Sequence, residues 1–388
     1  MSVRRGIALA VVAAMLVAAG CRAAVPSRVS ARAGGPGSTA RIAPRIPASA
    51  KVAPPAAGAY LGLYRPPAPF DITAIDTYES VSSKRPAIVM WYQPWAAKGP
   101  YQFDAGTCIS VLQRGAVPMI TWEPWDPGTN ANYVHDPANQ RAYALRNIVD
   151  GKFDSYIRSW ATAVKSVGGP VMIRPMHEMN GDWYPWGGLV NGNTPELYVA
   201  AWRRIHDIFA REGVTNVTWV WSINHMSVPD NARNSYAAYY PGDAYVDWTA
   251  ISGFNWGTSS PYSSWRTFES WYTKPLAYLK TLGKPVVIAE FACVENGGDK
   301  AAWLQDAYTR IRRDHPEVKA VIYYDALEKG PESTQDWRIS TSAKSLASYR
   351  SAVGSSYYLE GPTSTLSRWF TVLSLGDWQY LRGIKPVY

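Results

Sequence analysis

From Leu61 onward the chain repeats one pattern, a short apolar run followed by a longer stretch with helical spacing of apolar and polar positions. The apolar runs are Leu61–Tyr64, Ala87–Trp95, Val117–Trp125, Val171–Asn180, Asn216–Asn224, Val246–Trp256, Pro285–Ala292 and Val318–Leu327. Most are hydrophobic at nearly every position, which is how strands buried on both faces read. Between them lie helix signals. Asp154 is placed to cap a helix with Tyr156, Trp160, Ala163, Val164 and Val167 on one face, stopped by Gly168-Gly169. Thr194-Pro195-Glu196 opens another, with Leu197, Ala201, Ile205, Ile208 and Phe209 as its apolar stripe up to Gly213. Eight strands alternating with helices predict an α/β fold, a (β/α)8 TIM barrel. A doubly wound open sheet is the alternative. Eight repeats without a Gly-rich phosphate loop favour closure into a ring.

The remainder of the chain reads differently. Residues 1–21 begin Met-Ser-Val-Arg-Arg, continue with the apolar run Gly6–Ala19 and end in Leu-Val-Ala-Ala-Gly-Cys. That run is short for a membrane span and suits a signal peptide. Its end resembles a bacterial lipobox, with Ala18 where Leu is usual, so Cys21 is the expected site of lipidation. The expectation is export, either as a lipoprotein on the extracellular face of the bacterial membrane or as a secreted protein. Residues 22–58, rich in Ala, Pro and Arg and without an aromatic residue until the strands begin, read as a disordered linker. The barrel is expected over 59–350. Residues 351–388 form a C-terminal extension of unknown role, whose Trp369, Phe370, Trp378 and Tyr380 point to packing against something.

Charge changes the picture only by exclusion. The net charge is +9, but residues 1–58 hold eight Lys/Arg and no acid, leaving 31 basic against 30 acidic residues. The folded part therefore offers no electrostatic footprint for nucleic acid. The three cysteines are Cys21, Cys108 and Cys293. Whether the last two pair is open, and no Cys/His spacing suggests a metal site. Eighteen Trp and 25 Tyr are many. Such rings serve either as core packing or as flat platforms for sugar rings.

Barrel active sites lie at the C-terminal ends of the strands. Run four ends Arg174-Pro175-Met176-His177-Glu178-Met179-Asn180, and run seven ends Ala289-Glu290-Phe291. In each, a Glu interrupts an otherwise apolar strand. Buried charge is expensive and persists where pairing or function requires it. Two carboxylates facing each other across a barrel mouth are what glycoside hydrolysis needs, one protonated and one ionised. Glu123 ends strand three, where it either hydrogen-bonds a sugar hydroxyl or braces Arg174; Arg174 is read as structural support.

The segment His177 to Trp186, with Ala289-Glu290-Phe291, resembles glycoside hydrolase family 26. That family holds β-mannanases, some mixed-linkage β-glucanases and β-1,3-xylanases. The resemblance spans about residues 60–345 and includes Trp91-Tyr92-Gln93-Pro94-Trp95, Ile120 to Trp125, Gly253 to Gly257 and Asp336-Trp337-Arg338. It implies Glu178 as acid/base and Glu290 as nucleophile, acting by double displacement on β-1,4-mannan or a related β-glycan, with no cofactor. It further implies that His177 contacts the sugar or the acid/base, and that Trp183 forms part of the sugar-binding floor. Adjacent strand residues point to opposite faces, so His177 and Glu178 share the site only if the strand end is distorted; otherwise His177 is a core histidine. Trp122, Trp186, Trp256 and Trp337 are candidate platforms, and Asn180 and Asn255 candidate partners for hydroxyls. Two positions depart from the family pattern. Phe254 stands where many members have a Tyr that hydrogen-bonds the nucleophile, and Ala292-Cys293 follows Glu-Phe where Gly is frequent. Both alter the walls around the cleavage subsite. The expected partner is a polysaccharide or oligosaccharide bound by a monomer. The competing readings are a hydrolase of mixed-linkage β-glucan, β-1,3-xylan or an endogenous exopolysaccharide, a non-catalytic surface carbohydrate-binding barrel, and a transglycosylase.

Overall fold

The computed structural model describes residues 51–96, 101–127, 138–329 and 334–361. The strands are β1 (Ala59–Tyr64), β2 (Ile88–Pro94), β3 (Val117–Glu123), β4 (Val171–Pro175), β5 (Val217–Asn224), β6 (Trp248–Asn255), β7 (Val286–Cys293) and β8 (Val318–Tyr324). Each runs parallel to the next, and β1 also pairs with β8 from Tyr60↔Ala320 to Tyr64↔Tyr324. The sheet therefore closes into a ring, which excludes the doubly wound alternative. Closure is tight at Gly62, where a Cβ would meet Ile322 Cγ1 at 2.6 Å. Glycine is the residue that lets two backbones approach this closely.

The helices α1 (Thr73–Ser82), α2 (Ala105–Gln113), α3 (Leu145–Val149), α4 (Asp154–Lys165), α5 (Pro195–Arg211), α6 (Phe268–Thr281), α7 (Lys300–Asp314) and α8 (Ala343–Val353) follow the strands. Helix α5 begins as its sequence dictates. The Thr194 hydroxyl accepts the Leu197 N–H at 3.3 Å, Pro195 fills the first turn, and Tyr198, Ala201, Trp202, Ile205, Ile208 and Phe209 are buried. Helix α4 differs from expectation. Asp154 is its first residue rather than its cap, because its carboxylate is held by Arg204 Nε and Nη2, each at 2.7 Å. The buried face is Ile157, Trp160, Ala161 and Val164, one position round from the expected stripe. Between β5 and β6 the connection consists of three short 3₁₀ turns, Ala232–Asn234, Tyr236–Tyr239 and Asp243–Tyr245, in place of an α-helix.

The barrel takes in more chain than 59–350. Val52 N–H donates to Thr218 Oγ1 at 2.8 Å and its carbonyl accepts the Trp248 indole N–H at 2.9 Å. Both partners begin strands, so residues 51–58 cross the N-terminal floor of the ring rather than belonging to the linker. At the other end, Tyr358–Leu359 form a short strand (β11, after the hairpin strands β9, Leu327–Lys329, and β10, Thr334–Asp336) that pairs with Ala59 and Tyr60. The domain thus continues past 350 to at least Gly361. Residues 1–50 with Cys21, and 362–388 with Trp369, Phe370, Trp378 and Tyr380, lie outside the described residues.

Candidate active site

The interior near the C-terminal rim carries a polar ring drawn from five consecutive strands. Arg174 of β4 is its hub and is fully buried. Its Nε donates to Thr121 of β3 at 2.9 Å, and its Nη1 to Ser222 of β5 at 3.3 Å and Ser252 of β6 at 3.2 Å. Its Nη2 meets Glu290 Oε1 of β7 at 2.5 Å. The brace for Arg174 is thus Glu290, not Glu123. A guanidinium stays charged under all ordinary conditions, so Glu290 has a permanent counter-ion and three of the donors beside it are occupied.

Glu290 reaches that position through an irregularity in β7. Ile251 pairs with Ile288, but the next residue, Ser252, pairs with Glu290. Toward β8 the register slips in the same stretch, from Ile288↔Val321 to Phe291↔Tyr323. Strand β7 therefore holds one residue more than either neighbour around Ala289. Such a bulge re-aims a side chain, and bulges concentrate next to functional sites. Phe291, beyond it, packs outward against Phe268 and Trp303 of the helical layer.

Strand β4 is distorted at its own end. It stops at Pro175, short of the apolar run that extends to Asn180, and Met176 and Glu178 take φ of 47° and 53°. Left-handed backbone is uncommon outside glycine and costs roughly 1 kcal/mol or more per residue. Met176 N–H donates to Trp122 O on the β3 side at 3.1 Å, whereas Glu178 N–H donates to Ser222 O on the β5 side at 2.9 Å. In a regular strand, residues two apart bond to the same neighbour. The backbone has therefore made a half turn between them, and this brings His177 and Glu178 to the same side. The turn is stapled by the Trp186 indole N–H to His177 O at 2.6 Å and by the Tyr198 hydroxyl to Met176 O at 3.1 Å.

His177 stands between two carboxylates, with Nδ1 at 3.9 Å from Glu123 Oε1 and Nε2 at 3.8 Å from Glu290 Oε1. Burial, then the Arg174 charge, hold its pKa well below the usual histidine value, so the imidazole is neutral. Glu178 is buried, and its Oε2 accepts the Trp183 indole N–H at 2.9 Å. Desolvation first, and then the negative charge of Glu290, push its pKa up to about 8; the Trp183 hydrogen bond opposes this. One carboxyl is thus kept protonated at neutral pH and the other stands against an arginine, the split of roles that paired acid chemistry requires. A cavity of about 600 Å³ opens elsewhere, between residues 69–72 and the start of α2, and neither glutamate lines it. The carboxylates, not that opening, locate this site.

Several expected ligand contacts are instead structural. Trp122 faces the helices, stacked on Trp160 of α4 with ring centroids 4.4 Å apart, an arrangement worth about 0.5–1.5 kcal/mol beyond burial. Trp186 is fully buried and stacked on Tyr184 at 4.4 Å. The Asn180 side chain bridges the β4 and β5 ends, accepting the Asn224 N–H and donating to the Asn224 and Met226 carbonyls. The Asn255 oxygen accepts the Gly257 and Arg266 N–H groups, so it pins the β6 loop. Glu123 is fully buried beside Trp125 and His177, out of reach of a sugar hydroxyl. Trp337 lies 1% exposed against Phe254 and Trp256 and offers no open face. Trp183 is also buried, against Glu178, and Trp256 alone of these candidate tryptophans is half-buried. Cys108 and Cys293 are both free and buried, so they form no disulfide.

Other groups enter that the pattern did not single out. Tyr92 of β2 and Tyr64 of β1 lie in the field of Glu290, and both hydroxyls are pushed up chiefly by burial. Tyr324 donates to Glu328, a further buried carboxyl whose pKa desolvation raises to about 7. Tyr92 belongs to the quoted Trp91–Trp95 motif, and that was its only signal. Glu328 follows the last barrel strand in a polar hairpin and carried none.

The family model "Glycosyl hydrolase family 26" matches residues 101–275. Endoglucanase H of Acetivibrio thermocellus is 37% identical over 287 residues, 73% of this chain and 29% of that protein. A mannan endo-1,4-beta-mannosidase of Bacillus subtilis is 29% identical over 235 residues, 56% of this chain and 58% of that protein. The chain thus spans less than two thirds of the length of either relative. Among solved structures, Bacillus subtilis mannanase man26 superposes with a TM-score of 0.55 at 17% identity, over 79% of this chain and 88% of that one. A Cellulomonas fimi endo-beta-1,4-mannanase double mutant gives 0.58 at 16% identity, over 80% and 73%. At such identities the superpositions carry the fold alone.

Proposed function

From the premise that the chain belongs to glycosyl hydrolase family 26, we propose that it is a retaining, endo-acting hydrolase of β-1,4-mannan or a related β-glycan. The observation that carries this is the split between two buried carboxyls at one barrel mouth, Glu178 held protonated and Glu290 held against Arg174. In the first step the Glu178 O–H protonates the glycosidic oxygen as a Glu290 oxygen attacks the anomeric carbon. The C–O bond to the leaving sugar breaks and a glycosyl-enzyme ester forms. Glu178, now ionised, takes a proton from water, whose oxygen attacks the same carbon and frees Glu290. Two inversions leave the configuration unchanged. Trp183 orients the acid through its indole N–H, and Arg174 fixes the nucleophile. Trp256 is the aromatic face best placed to meet a sugar.

A second substrate reading, β-glucan, is favoured by the 37% identity to a protein named as an endoglucanase, against 29% to the mannosidase. Phe254 also supports it, since its ring packs on Tyr324 and Trp337 and brings no hydroxyl to the nucleophile. The N-terminal segment supports export with lipidation at Cys21 and the barrel tethered outside the membrane. The domain is read as monomeric.

The test is product release from mannan, glucomannan, mixed-linkage β-glucan and β-1,3-xylan, comparing wild type with Glu290→Ala. Cleavage of one polymer, abolished in the variant, supports the reading and names the substrate. A folded wild type silent on all four sinks it in favour of a binding role or another glycan.

A further inference from the structure

Glu123, His177 and Glu290 form a line through the interior, carboxyl to imidazole to carboxyl, with gaps of 3.9 and 3.8 Å. All three side chains are buried. Glu123 Oε1 and both nitrogens of His177 have no hydrogen-bond partner, while Glu123 Oε2 accepts the Trp125 indole N–H at 3.3 Å. Orphaned polar atoms at this depth cost roughly 1–3 kcal/mol each, so three in one line call for an explanation. A bridging water does not supply one. In line between two of these atoms it would need about 2.8 Å to each, roughly 5.6 Å in all, more than either gap provides. Shortening each gap by about 1 Å would turn both into direct hydrogen bonds.

With the imidazole neutral, as burial and the Arg174 charge keep it, two arrangements of protons can make them. If Glu123 is ionised it accepts from Nδ1–H, and the bare Nε2 lone pair then confronts the Glu290 carboxylate. If Glu123 carries its proton it donates to Nδ1, and Nε2–H then points at Glu290 Oε1. Only the second leaves an attractive contact at both ends. The surrounding groups favour it. Burial raises Glu123 well above the usual carboxylate range and the charge of Glu290 pushes the same way, while the Trp125 N–H and Arg174 oppose them without prevailing. Tyr184, packed on His177, is itself neutral.

We propose that Glu123 is a positioning residue that donates to His177 Nδ1 and so fixes the imidazole as the Nε2–H tautomer, a second donor to Glu290 beside Arg174. It touches neither substrate nor reacting atom. Its role is to stop a neutral histidine from presenting a lone pair to the nucleophile. The inference rests on reading Glu290 as that nucleophile.

The test uses Glu123→Gln and Glu123→Leu. Glutamine reproduces a neutral acid, with one acceptor for Trp125 and one N–H donor for Nδ1; leucine has neither. In ¹⁵N-histidine-labelled protein, with five histidines in the chain and His177 assigned by its loss in His177→Asn, wild type and Glu123→Gln should both show the neutral Nε2–H tautomer. Glu123→Leu should lose that preference. Kinetically, Glu123→Gln should stay within about threefold of wild type, and Glu123→Leu should fall by about 10–100-fold in kcat with little change in KM, the size typical of supporting hydrogen bonds. An Nδ1–H tautomer or an imidazolium in the wild type overturns the proposal. So does a folded Glu123→Gln as impaired as Glu123→Leu, or a Glu123→Leu with full activity. Should leucine prevent folding, the wild-type and glutamine spectra still decide. Should the wild type cleave no glycan, the functional reading fails while the spectra judge the tautomer on their own.

Discussion

Trp183 donates its indole N–H to Glu178 Oε2 at 2.9 Å, and that bond steadies a carboxyl which burial and the charge of Glu290 drive the other way. A donor stabilises the ionised form and so lowers the pKa. Trp183→Phe keeps the ring and removes the donor. The alkaline limb of kcat/KM should move to higher pH, with kcat reduced by about 10-fold or more. An unmoved limb would mean that the indole N–H does not act on Glu178.

The alkaline limb itself should report Glu178. As general acid it must hold its proton, so kcat/KM should fall as pH rises through about 8. Glu290→Gln keeps the fold and removes the charge that helps raise this pKa, so direct titration of Glu178 in that variant should give a lower value. Glu178→Ala should lose about 10²–10⁴-fold on polysaccharide, and much less on aryl glycosides whose leaving groups need no proton. Equal losses on both substrates would argue against the acid role.

Stability should follow the same group with a definite sign. Glu178 titrates near 4.5 when unfolded and near 8 when folded. Its contribution is present in full below about 4.5 and is lost as pH rises through about 8. Glu178→Gln cannot ionise, so its melting temperature should exceed that of the wild type increasingly between pH 5 and 9. Parallel melting curves over that range would contradict this.

Arg174 should be intolerant of removal. Arg174→Met leaves Glu290 buried without its counter-ion and strands Thr121, Ser222 and Ser252. Losing one partner of a buried pair costs about 3–5 kcal/mol. Denaturant unfolding should show that loss, and Arg174→Lys should recover only part of it, since an ammonium cannot span the same four partners.

Reducing agents should leave the folded domain unchanged. Cys108 and Cys293 are unpaired, and burial holds both thiols above their usual range, so they should resist thiol reagents until the protein unfolds. A melting temperature lowered by dithiothreitol would contradict the free state.

Much of the architecture was legible because strands buried on both faces leave near-continuous apolar runs, and a Glu within such a run stands out at once. That placed Glu178 and Glu290 on the fourth and seventh strands. The direction in which a neighbouring side chain points was not legible. Period-two alternation holds only for unbroken backbone, and the half turn between Met176 and Glu178 and the extra residue near Ala289 both break it. These irregularities are held by hydrogen bonds from other elements, such as Trp186 to His177 and Glu178 to Ser222. The same limit separates the tryptophans, since Trp122 and Trp183 are both candidate sugar platforms by sequence, yet one stacks on a helix and the other grips a carboxylate. Sequence by itself determined the ring of strands and the strands that carry acid, because those depend on local hydrophobic pattern. Only the tertiary structure decided that His177 faces inward, that Arg174 holds Glu290 and that Glu123 lies behind His177. Each of those depends on groups brought together from different strands.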